Sequence, residues 1–285
     1  MKKATFTATK SIKIMSVHSE IKRVTTHTLQ KMKERGEKIS MLTSYDFSFT
    51  KIFDEAGIDI LLIGDSASNV IAGHETTLPI TLDQMIFLAA SVVRGAQRCF
   101  VICDLPFGTY QGNSKEALNS SIRIMKESGA HAVKLEGGIE VCESIARIVS
   151  SGIPVMAHLG LTPQSIYQFG TYNVRAKEDA EAELLLKNAH AVQEAGAFAL
   201  VLEKIPATLG KRVAEELKIP VIGIGAGMHV DGQVLVMHDM LGITKDFSPR
   251  FLRRYLELYD EIKGATAQYI ADVKSSDFPN DKEQY

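Results

Sequence analysis

Short apolar runs alternate with amphipathic segments along the chain from Ile39 onward. This alternation predicts repeated strand-and-helix units around a parallel sheet, whose strands are apolar because helices cover them. The predicted strands lie near Ile39–Thr43, Ile60–Gly64, Phe100–Cys103, Ala132–Leu135, Val155–Ala157, Phe198–Leu202, Val221–Ile224 and Gln233–Val236. Since about eight units in about 250 residues are typical of a TIM barrel, we predict an α/β protein with a (β/α)8 barrel. An open doubly wound sheet is the alternative.

The segments between the strands carry the signals of helices. Thr81 and Gln84 have the spacing of a capping box, and the apolar positions after them recur at helical spacing. A second helix is predicted from Asp179 to Ala195 on the same periodicity. Three predicted helices are each followed by a glycine where a left-handed cap is expected, at Gly129, Gly152 and Gly196.

The pattern predicts a single barrel domain over residues 25–274 with a short segment at each end. Residues 1–24 begin with a stretch rich in Lys, Thr and Ser, and we expect a mobile basic arm there. Residues 275–285 are predicted to form a polar C-terminal tail. Only the central domain enters the prediction of a site.

The composition is that of an ordinary globular protein, because the 285 residues are 45% hydrophobic and 23% charged. A net charge of -2 provides no basic field for nucleic acid. No apolar run approaches the roughly 20 residues that span a bilayer, so we expect neither nucleic acid nor membrane as a partner. The three cysteines form no CxxC pair and are interpreted as reduced core residues, which favours a cytoplasmic location.

Five of the apolar runs end on a side chain capable of acid, base or metal chemistry. These side chains are Asp65, Asp104, Glu136, His158 and Glu203, and Lys134 lies two residues before Glu136. In parallel barrels the ligands bind at the carboxyl ends of the strands, so polar residues that recur there are candidates for catalysis. We predict that all six converge on one mouth of the barrel.

Asp65, Asp104 and Glu136 are hard oxygen ligands, few enough to leave open coordination positions. This donor set suits Mg²⁺, which keeps waters or substrate oxygens beside its carboxylates. A helix cap or a loop hydrogen bond is the alternative role for each residue taken alone. Three adjacent carboxylates repel one another, so a cation or a shared proton is required.

Lys134 and Glu136 point to the same face of a strand. The lysine therefore neutralises the acidic cluster, holds an anionic substrate or forms a structural ion pair with Glu136. A Schiff-base role is disfavoured, because nearby carboxylates raise the pKa of a lysine. His158 is a candidate by its position, although a lone histidine is often structural. Glu203 suits a general base; a salt bridge with Lys204 or a helix cap is its alternative role.

Two connections, Ala67–Ile80 and Gly160–Lys177, are too long to be simple turns, and we expect them to close over the substrate. The glycine-rich run Gly223–Gly227 has two interpretations, a backbone cradle for an anion or close packing at the barrel rim. A dinucleotide site is disfavoured because Met228 stands in place of the third glycine of GxGxxG.

Nine motifs, in order between Ile39 and Ile243, resemble those of the ketopantoate hydroxymethyltransferase family of pantothenate synthesis. They are Thr43–Asp46, Gly64–Ser66, Thr76–Pro79, Asp104–Phe107, Val133–Gly138, His158–Ser165, Val201–Glu203, Ile222–Gly227 and Asp231–Val236. The chain departs from the family pattern at Ala67-Ser68-Asn69, where Leu-Gly-Met is usual, and over Thr171–Lys177, where Gly-Tyr-Lys-Val-Gln-Gly-Arg is usual. Both departures lie in the two long connections.

The resemblance implies a barrel of the phosphoenolpyruvate/pyruvate type that binds Mg²⁺ and assembles into a ring-shaped homo-oligomer, commonly a homodecamer. By the same resemblance, Asp65, Asp104 and Glu136 match metal-associated carboxylates. Glu203 matches the general base. The implied substrate contacts are Asp65, Ser66, Asp104, Lys134 and His158.

The implied activity is a one-carbon transfer. A hydroxymethyl group passes from 5,10-methylenetetrahydrofolate to the keto acid 3-methyl-2-oxobutanoate, and 2-dehydropantoate forms. Folate binding rests on the resemblance alone. One alternative is a Mg²⁺-dependent C–C lyase or mutase resembling isocitrate lyase, but its cysteine-bearing loop has no counterpart in this sequence. The other alternative is a scaffold without catalytic activity. This alternative is disfavoured, because a scaffold does not require the acidic residues that are present.

Overall fold

The computed structural model describes residues 22–285, so the predicted arm lies outside the described residues except for residues 22–24. Eight strands are present, β1 Ile39–Thr43, β2 Ile60–Ile63, β3 Phe100–Asp104, β4 Ala132–Glu136, β5 Val155–Gly160, β6 Ala199–Glu203, β7 Val221–Ile224 and β8 Gly232–Leu235. They close into a barrel in sequence order, with β1 parallel to β8. The predicted TIM barrel is confirmed, and the open sheet is wrong.

Helices follow the strands around the barrel. Within residues 22–285 they are α1 Thr26–Glu34, α2 Phe47–Glu55, α3 Ala67–Val70, α4 Leu82–Gly95, α5 Ser114–Ser128, α6 Cys142–Ser150, α7 Ile166–Phe169, α8 Asp179–Glu194, α9 Ala207–Glu216, α10 Met237–Met240 and α11 Leu258–Ser275. Single 3₁₀ turns occur at Ile139–Val141 and Pro163–Ser165.

The local signals read from the sequence are present in α4. Thr81 Oγ1 accepts a hydrogen bond from the Gln84 N–H at 3.3 Å, and Gln84 Oε1 accepts one from the Thr81 N–H at 2.8 Å. The predicted apolar stripe is buried at Met85, Ala89 and Val92. The predicted left-handed glycines also adopt positive φ, at Gly129, Gly152 and Gly196. The capping box therefore fixes the start of α4, and the three glycines lie at the ends of α5, α6 and α8.

Alternation along the strands decides which side chains reach the barrel axis. The inner apolar cluster contains Ile102, Ala132, Met156 and Val201. Two residues further along the same strands are Asp104, Lys134, His158 and Glu203. Since residues two apart in a strand share a face, these polar side chains form a layer above an apolar plug. The layer lies at the carboxyl ends of the strands.

The glycine-rich run after β7 packs closely against its neighbours. A Cβ at Gly227 would lie 2.5 Å from the Cβ of Ala207, and a Cβ at Gly223 would lie 2.9 Å from Cγ2 of Val230. No larger side chain fits at either position without movement of the neighbouring residues. These contacts support close packing at the rim.

The two ends of the described chain differ in how they contact the barrel. Val24 is buried, and its N–H donates to the Arg98 carbonyl at 2.8 Å. At the other end, α11 has no buried residue. Over residues 22–285, no helix combines the length and apolar character needed to cross a bilayer. Cys99 and Cys103 are buried and free.

Candidate active site

A cavity of about 430 Å³ opens at the carboxyl ends of the strands. Every residue predicted for the site lines it, namely Asp65, Ser66, Asp104, Lys134, Glu136, His158 and Glu203. The two long connections contribute walls, with Val70 and Thr77 from the first and Leu161 and Tyr172 from the second. The structure thus brings together residues from β2 to β6 that are far apart in sequence.

The three predicted metal carboxylates are almost fully buried. Asp65, Asp104 and Glu136 are 4%, 2% and 5% exposed. Burial, followed by the charges of Glu136 and Asp104, raises the pKa of Asp65 to about 8. Burial also raises the pKa of Asp104, against the opposing effect of Lys134. The cluster therefore carries more negative charge than its protein surroundings stabilise.

Lys134 forms its ion pair across the sheet. Its Nζ lies 3.0 Å from Oδ1 of Asp104, which is its register partner on β3. The ion pair with Glu136 considered from the sequence is not formed. Although burial acts to lower the pKa of Lys134, the charges of Asp104, Glu136 and Asp65 raise it above its ordinary value. A lysine that holds its proton this firmly is a poor Schiff-base nucleophile.

His158 lies between two carboxylates. Its Nδ1 is 3.3 Å from Glu136 Oε1, and its Nε2 is 3.5 Å from Glu203 Oε2. Burial and the charge of Lys134 act to lower the pKa of His158, but hydrogen bonding with Glu136 and Glu203 raises it to about 9. The ring is therefore a second cation in the polar layer at neutral pH.

Glu203 differs from the other carboxylates in its access to the cavity. Its side chain is 17% exposed, against 3% for the side chains of Asp104 and Glu136. The salt bridge with Lys204 considered from the sequence is not formed, because Lys204 Nζ donates to the Tyr172 carbonyl. Glu203 is thus a carboxylate at the edge of the layer with room for a reacting group beside it.

Ser66 is held by a residue to which the sequence analysis assigned no role. The Tyr45 hydroxyl lies 2.8 Å from Ser66 Oγ, and Tyr45 is 1% exposed. A Cβ at Gly64 would lie 2.6 Å from Ser66 Oγ, so only glycine leaves room for this arrangement. Tyr45 and Gly64 both occur in the motifs that carried the resemblance.

Gln164 is the second residue without an assigned role, although it also lies in a resemblance motif. Its side-chain NH₂ donates to Asp65 Oδ2 at 2.8 Å, and its backbone N–H donates to Glu136 Oε2 at 2.9 Å. An uncharged side chain in a loop gives no chemical signal in a single sequence. Only the fold reveals that Gln164 contacts two carboxylates.

The chemistry of the donor set fits a hard divalent cation. Three buried carboxylates share two partners that can carry positive charge, with Asp104 Oδ1 3.0 Å from Lys134 Nζ and Glu136 Oε1 3.3 Å from His158 Nδ1. In residues 22–285, no group of three or more His, Cys, Asp or Glu side chains is already arranged as a metal site. Mg²⁺ commonly takes only one or two protein carboxylates and completes its shell with water and substrate oxygens, so the residues present fit it.

A closed parallel barrel with a buried layer of acids and cations at its carboxyl ends defines a (β/α)8-barrel protein equipped for acid–base chemistry. The same fold occurs in a phosphonopyruvate hydrolase, with a TM-score of 0.59 and 12% identity over 91% of this chain and 93% of that one. A 2,3-dimethylmalate lyase of the PEP mutase/isocitrate lyase superfamily aligns with a TM-score of 0.53 and 15% identity over 91% of each chain. These similarities concern the fold.

Sequence comparison identifies the family. The ketopantoate hydroxymethyltransferase profile matches residues 23–281. A 3-methyl-2-oxobutanoate hydroxymethyltransferase of Porphyromonas gingivalis is 69% identical over 266 residues, which are 93% of this chain and 97% of that protein. An enzyme of the same name from Flavobacterium johnsoniae is 67% identical over 266 residues, 93% of this chain and 98% of its own. The chain belongs to the ketopantoate hydroxymethyltransferase family, and the predicted resemblance is confirmed.

Proposed function

We propose that the chain transfers a hydroxymethyl group from 5,10-methylenetetrahydrofolate to 3-methyl-2-oxobutanoate and forms 2-dehydropantoate, a step of pantothenate synthesis. The observation that supports this proposal most directly is the difference in exposure among the four carboxylates. All four line the cavity, but three are almost fully buried beside Lys134, whereas the side chain of Glu203 is 17% exposed. Family membership supplies the identity of the substrates.

Asp65, Asp104 and Glu136 are the residues that hold Mg²⁺ in this proposal. When bound, Mg²⁺ supplies Lewis-acid polarisation of the keto group, which makes the adjacent C3–H more acidic. The proposal is supported by the burial of three carboxylates beside only Lys134 and His158 and by the raised pKa of Asp65. Both observations reflect negative charge that a cation stabilises.

The side chains of the cavity have separate roles in removing the proton and in stabilising the negative charge that results. Glu203 accepts the C3 proton, since it is the most exposed of the four strand-end carboxylates and is not assigned to the metal. The cationic Lys134 and His158 stabilise the negative charge that develops on the enolate. Ser66 donates a hydrogen bond to the substrate carboxylate from the position that Tyr45 fixes.

Carbon–carbon bond formation follows proton removal. Water adds to the methylene carbon of the folate, both C–N bonds of that carbon break, and the two protons of the water go to the two folate nitrogens, so tetrahydrofolate and formaldehyde form. The enolate carbon then attacks the carbonyl carbon of the formaldehyde, and the formaldehyde oxygen takes up the proton that Glu203 accepted. Water supplies the hydroxyl group, so tetrahydrofolate and 2-dehydropantoate are the products. Held in one cavity, the two substrates react without the entropic cost of a second encounter.

Product formation tests the proposal directly. Purified protein is incubated with both substrates and Mg²⁺, and the product is detected by NMR, with a parallel sample that contains excess chelator. Chelator-sensitive formation of 2-dehydropantoate is expected. Absence of product in both samples contradicts the reaction, whereas product that persists with chelator contradicts the role of the metal alone.

We also infer that the chain assembles into a ring homo-oligomer, such as a homodecamer, in the cytoplasm. Support comes from α11, whose exposed apolar side chains include Tyr259, Ile262, Tyr269 and Ile270. Exposed apolar faces of this kind are typical of interaction surfaces. The free cysteines agree with a reducing compartment. Native mass spectrometry gives the copy number, and a monomer at micromolar concentration would contradict the ring.

A further inference from the structure

Gln164 uses every polar atom of its side chain in hydrogen bonds. Its Nε2 donates to Asp65 Oδ2 at 2.8 Å and to the Leu105 carbonyl at 3.0 Å. Its Oε1 accepts from the Tyr110 hydroxyl at 2.8 Å and from Gln111 Nε2 at 3.0 Å. Gln164 is 6% exposed. A buried primary amide with four partners has its full hydrogen-bonding capacity satisfied and is held in one orientation.

The orientation of this amide is set from outside the cavity. The Gly108 N–H donates to Gln111 Oε1 at 2.8 Å, so the NH₂ of Gln111 faces Gln164. The Glu136 N–H donates to the Tyr110 hydroxyl at 3.1 Å. The hydroxyl hydrogen has two acceptors within reach, and Gln164 Oε1 at 2.8 Å is nearer than the Glu136 carbonyl at 3.1 Å. Two donors therefore converge on Gln164 Oε1, and the Nε2 must face Asp65.

The same residue also fixes a second carboxylate. Its backbone N–H donates to Glu136 Oε2, while the Asp65 N–H donates to Asp104 Oδ2 at 3.0 Å. Each of the three buried carboxylates thus has one oxygen held by a protein N–H. Gln164 supplies two of these three contacts. The opposite oxygens of Asp104 and Glu136 lie 3.0 Å from Lys134 Nζ and 3.3 Å from His158 Nδ1.

We propose that Gln164 is a positioning residue that holds Oδ2 of Asp65 and Oε2 of Glu136 and so fixes the orientation of both carboxylates for the divalent cation. The inference rests on the metal role assigned above under the proposed function. Groups that orient metal ligands through hydrogen bonds determine metal affinity, and their loss commonly weakens it. Gln164 is suited to this task because it lies in the loop after β5 yet contacts residues that follow or end β2, β3 and β4.

The test is direct Mn²⁺ binding, measured by electron paramagnetic resonance on metal-free full-length protein without substrates. Gln164→Leu keeps the approximate volume of the side chain and removes all four side-chain hydrogen bonds. We expect Mn²⁺ affinity to fall about 10- to 100-fold. We also expect the Mg²⁺ concentration for half-maximal turnover to rise by a similar factor, with a smaller change in kcat at saturating Mg²⁺.

A matched control separates positioning from general destabilisation. Gln193 Oε1 accepts from the Lys218 and Ile219 N–H groups at 2.7 and 3.3 Å, and Gln193 does not line the cavity. Gln193→Leu removes two side-chain hydrogen bonds, one exposed and one half-buried, so it lowers the melting temperature. Its Mn²⁺ affinity is expected to equal that of the wild type.

A second variant tests whether Tyr110 acts through the same amide. Tyr110→Phe alone is expected to weaken Mn²⁺ binding less than Gln164→Leu, and to add nothing in the Gln164→Leu background. Should Gln164→Leu fail to fold, Gln164→Asn replaces it, because an amide one methylene shorter cannot span Asp65 and Tyr110. Wild-type Mn²⁺ affinity in a folded Gln164 variant overturns the proposal. A wild-type protein that binds no Mn²⁺ contradicts the metal role itself, and the proposal with it.

Discussion

Asp104 and Lys134 are register partners on adjacent strands, and their charged groups are 3.0 Å apart in a layer where both side chains are almost fully buried. In residues 22–285, this is the only salt bridge that joins a lysine to the buried carboxylates of the site. The strand register places these two side chains next to each other on the inner face of the barrel. We therefore expect the pair to have a structural role beside the catalytic role proposed for Lys134.

Replacement of Lys134 tests the structural role. Lys134→Met leaves the buried carboxylates without their nearest cation, and loss of one partner of a buried ion pair costs about 3–5 kcal/mol. We expect the free energy of unfolding, measured in urea at pH 8 and fixed protein concentration, to fall by that amount. Lys33→Met is the control, because Lys33 pairs with Asp231 at a half-buried position, where a loss of about 1 kcal/mol is expected. Equal losses would contradict the special position of Lys134.

Asp65 is expected to destabilise the metal-free protein. Its pKa is about 8 in the folded protein and about 3.9 in an unfolded chain, so the folded state binds more protons between these values. Stability is therefore lost as pH rises from about 4 through about 8. Asp65→Asn is neutral at every pH, so it should raise the free energy of unfolding of metal-free protein at pH 8 while it abolishes turnover.

Asp54 provides the contrast for Asp65. Its carboxylate accepts backbone hydrogen bonds from Gln97, Arg98 and Cys99, and these contacts lower its pKa although burial opposes them. Asp54→Asn should therefore lower stability at pH 8. Urea unfolding of the two variants at pH 5 and pH 8 measures both changes in the free energy of unfolding. A destabilised Asp65→Asn protein at pH 8 would show that the cluster is a structural network instead of a binding site.

The space around Gly64 yields a prediction on substrate affinity. A Cβ at this position would lie 2.6 Å from Ser66 Oγ, so Gly64→Ala must displace the serine hydroxyl from Tyr45. We expect the KM for 3-methyl-2-oxobutanoate to rise about tenfold, the effect of one lost hydrogen bond to a charged group. Gly264→Ala in α11 is the control, since no atom lies within 4 Å of its Cβ position. An unchanged KM in Gly64→Ala would exclude Ser66 from substrate binding.

Much of the fold could be predicted from the sequence, because the periodicity of strands and helices and the helix caps are local signals. The strands were placed to within a few residues, and β5 was underestimated most, since it continues through His158 to Gly160. The prediction of Asp104 and Glu203 as strand-end groups succeeded because a charge at the end of an apolar run is conspicuous. Register decides which charges pair, and no local signal encodes it. The partner of Lys134 was therefore not predictable.

The roles of Gln164 and Tyr45 illustrate a different limit. Both are uncharged and lie near loops, so their residue types suggest no chemistry. Their importance arises only when β1, β2 and β5 come together in the closed barrel and place Tyr45 beside Ser66 and Gln164 beside Asp65. Hydrogen-bond partners that support a site are defined by tertiary geometry.

The central chemical proposal is that Glu203 is the general base. Glu203→Gln keeps the shape of the side chain and removes the proton acceptor, so we expect turnover to fall at least 10²-fold, the typical contribution of a general base. Mn²⁺ affinity should stay unchanged, because Glu203 is not among the three carboxylates assigned to the metal. Glu75→Gln, which alters an exposed carboxylate at the same cavity, is the control for a general loss of charge.

The most direct test isolates proton removal from carbon–carbon bond formation. The protein is incubated in D₂O with Mg²⁺ and 3-methyl-2-oxobutanoate, without folate, and loss of the C3 proton signal is followed by NMR. We predict enzyme-catalysed exchange in the wild type and in Glu75→Gln, and exchange at least 10²-fold slower in Glu203→Gln. Exchange at the wild-type rate in Glu203→Gln would contradict the assignment of Glu203 as the base.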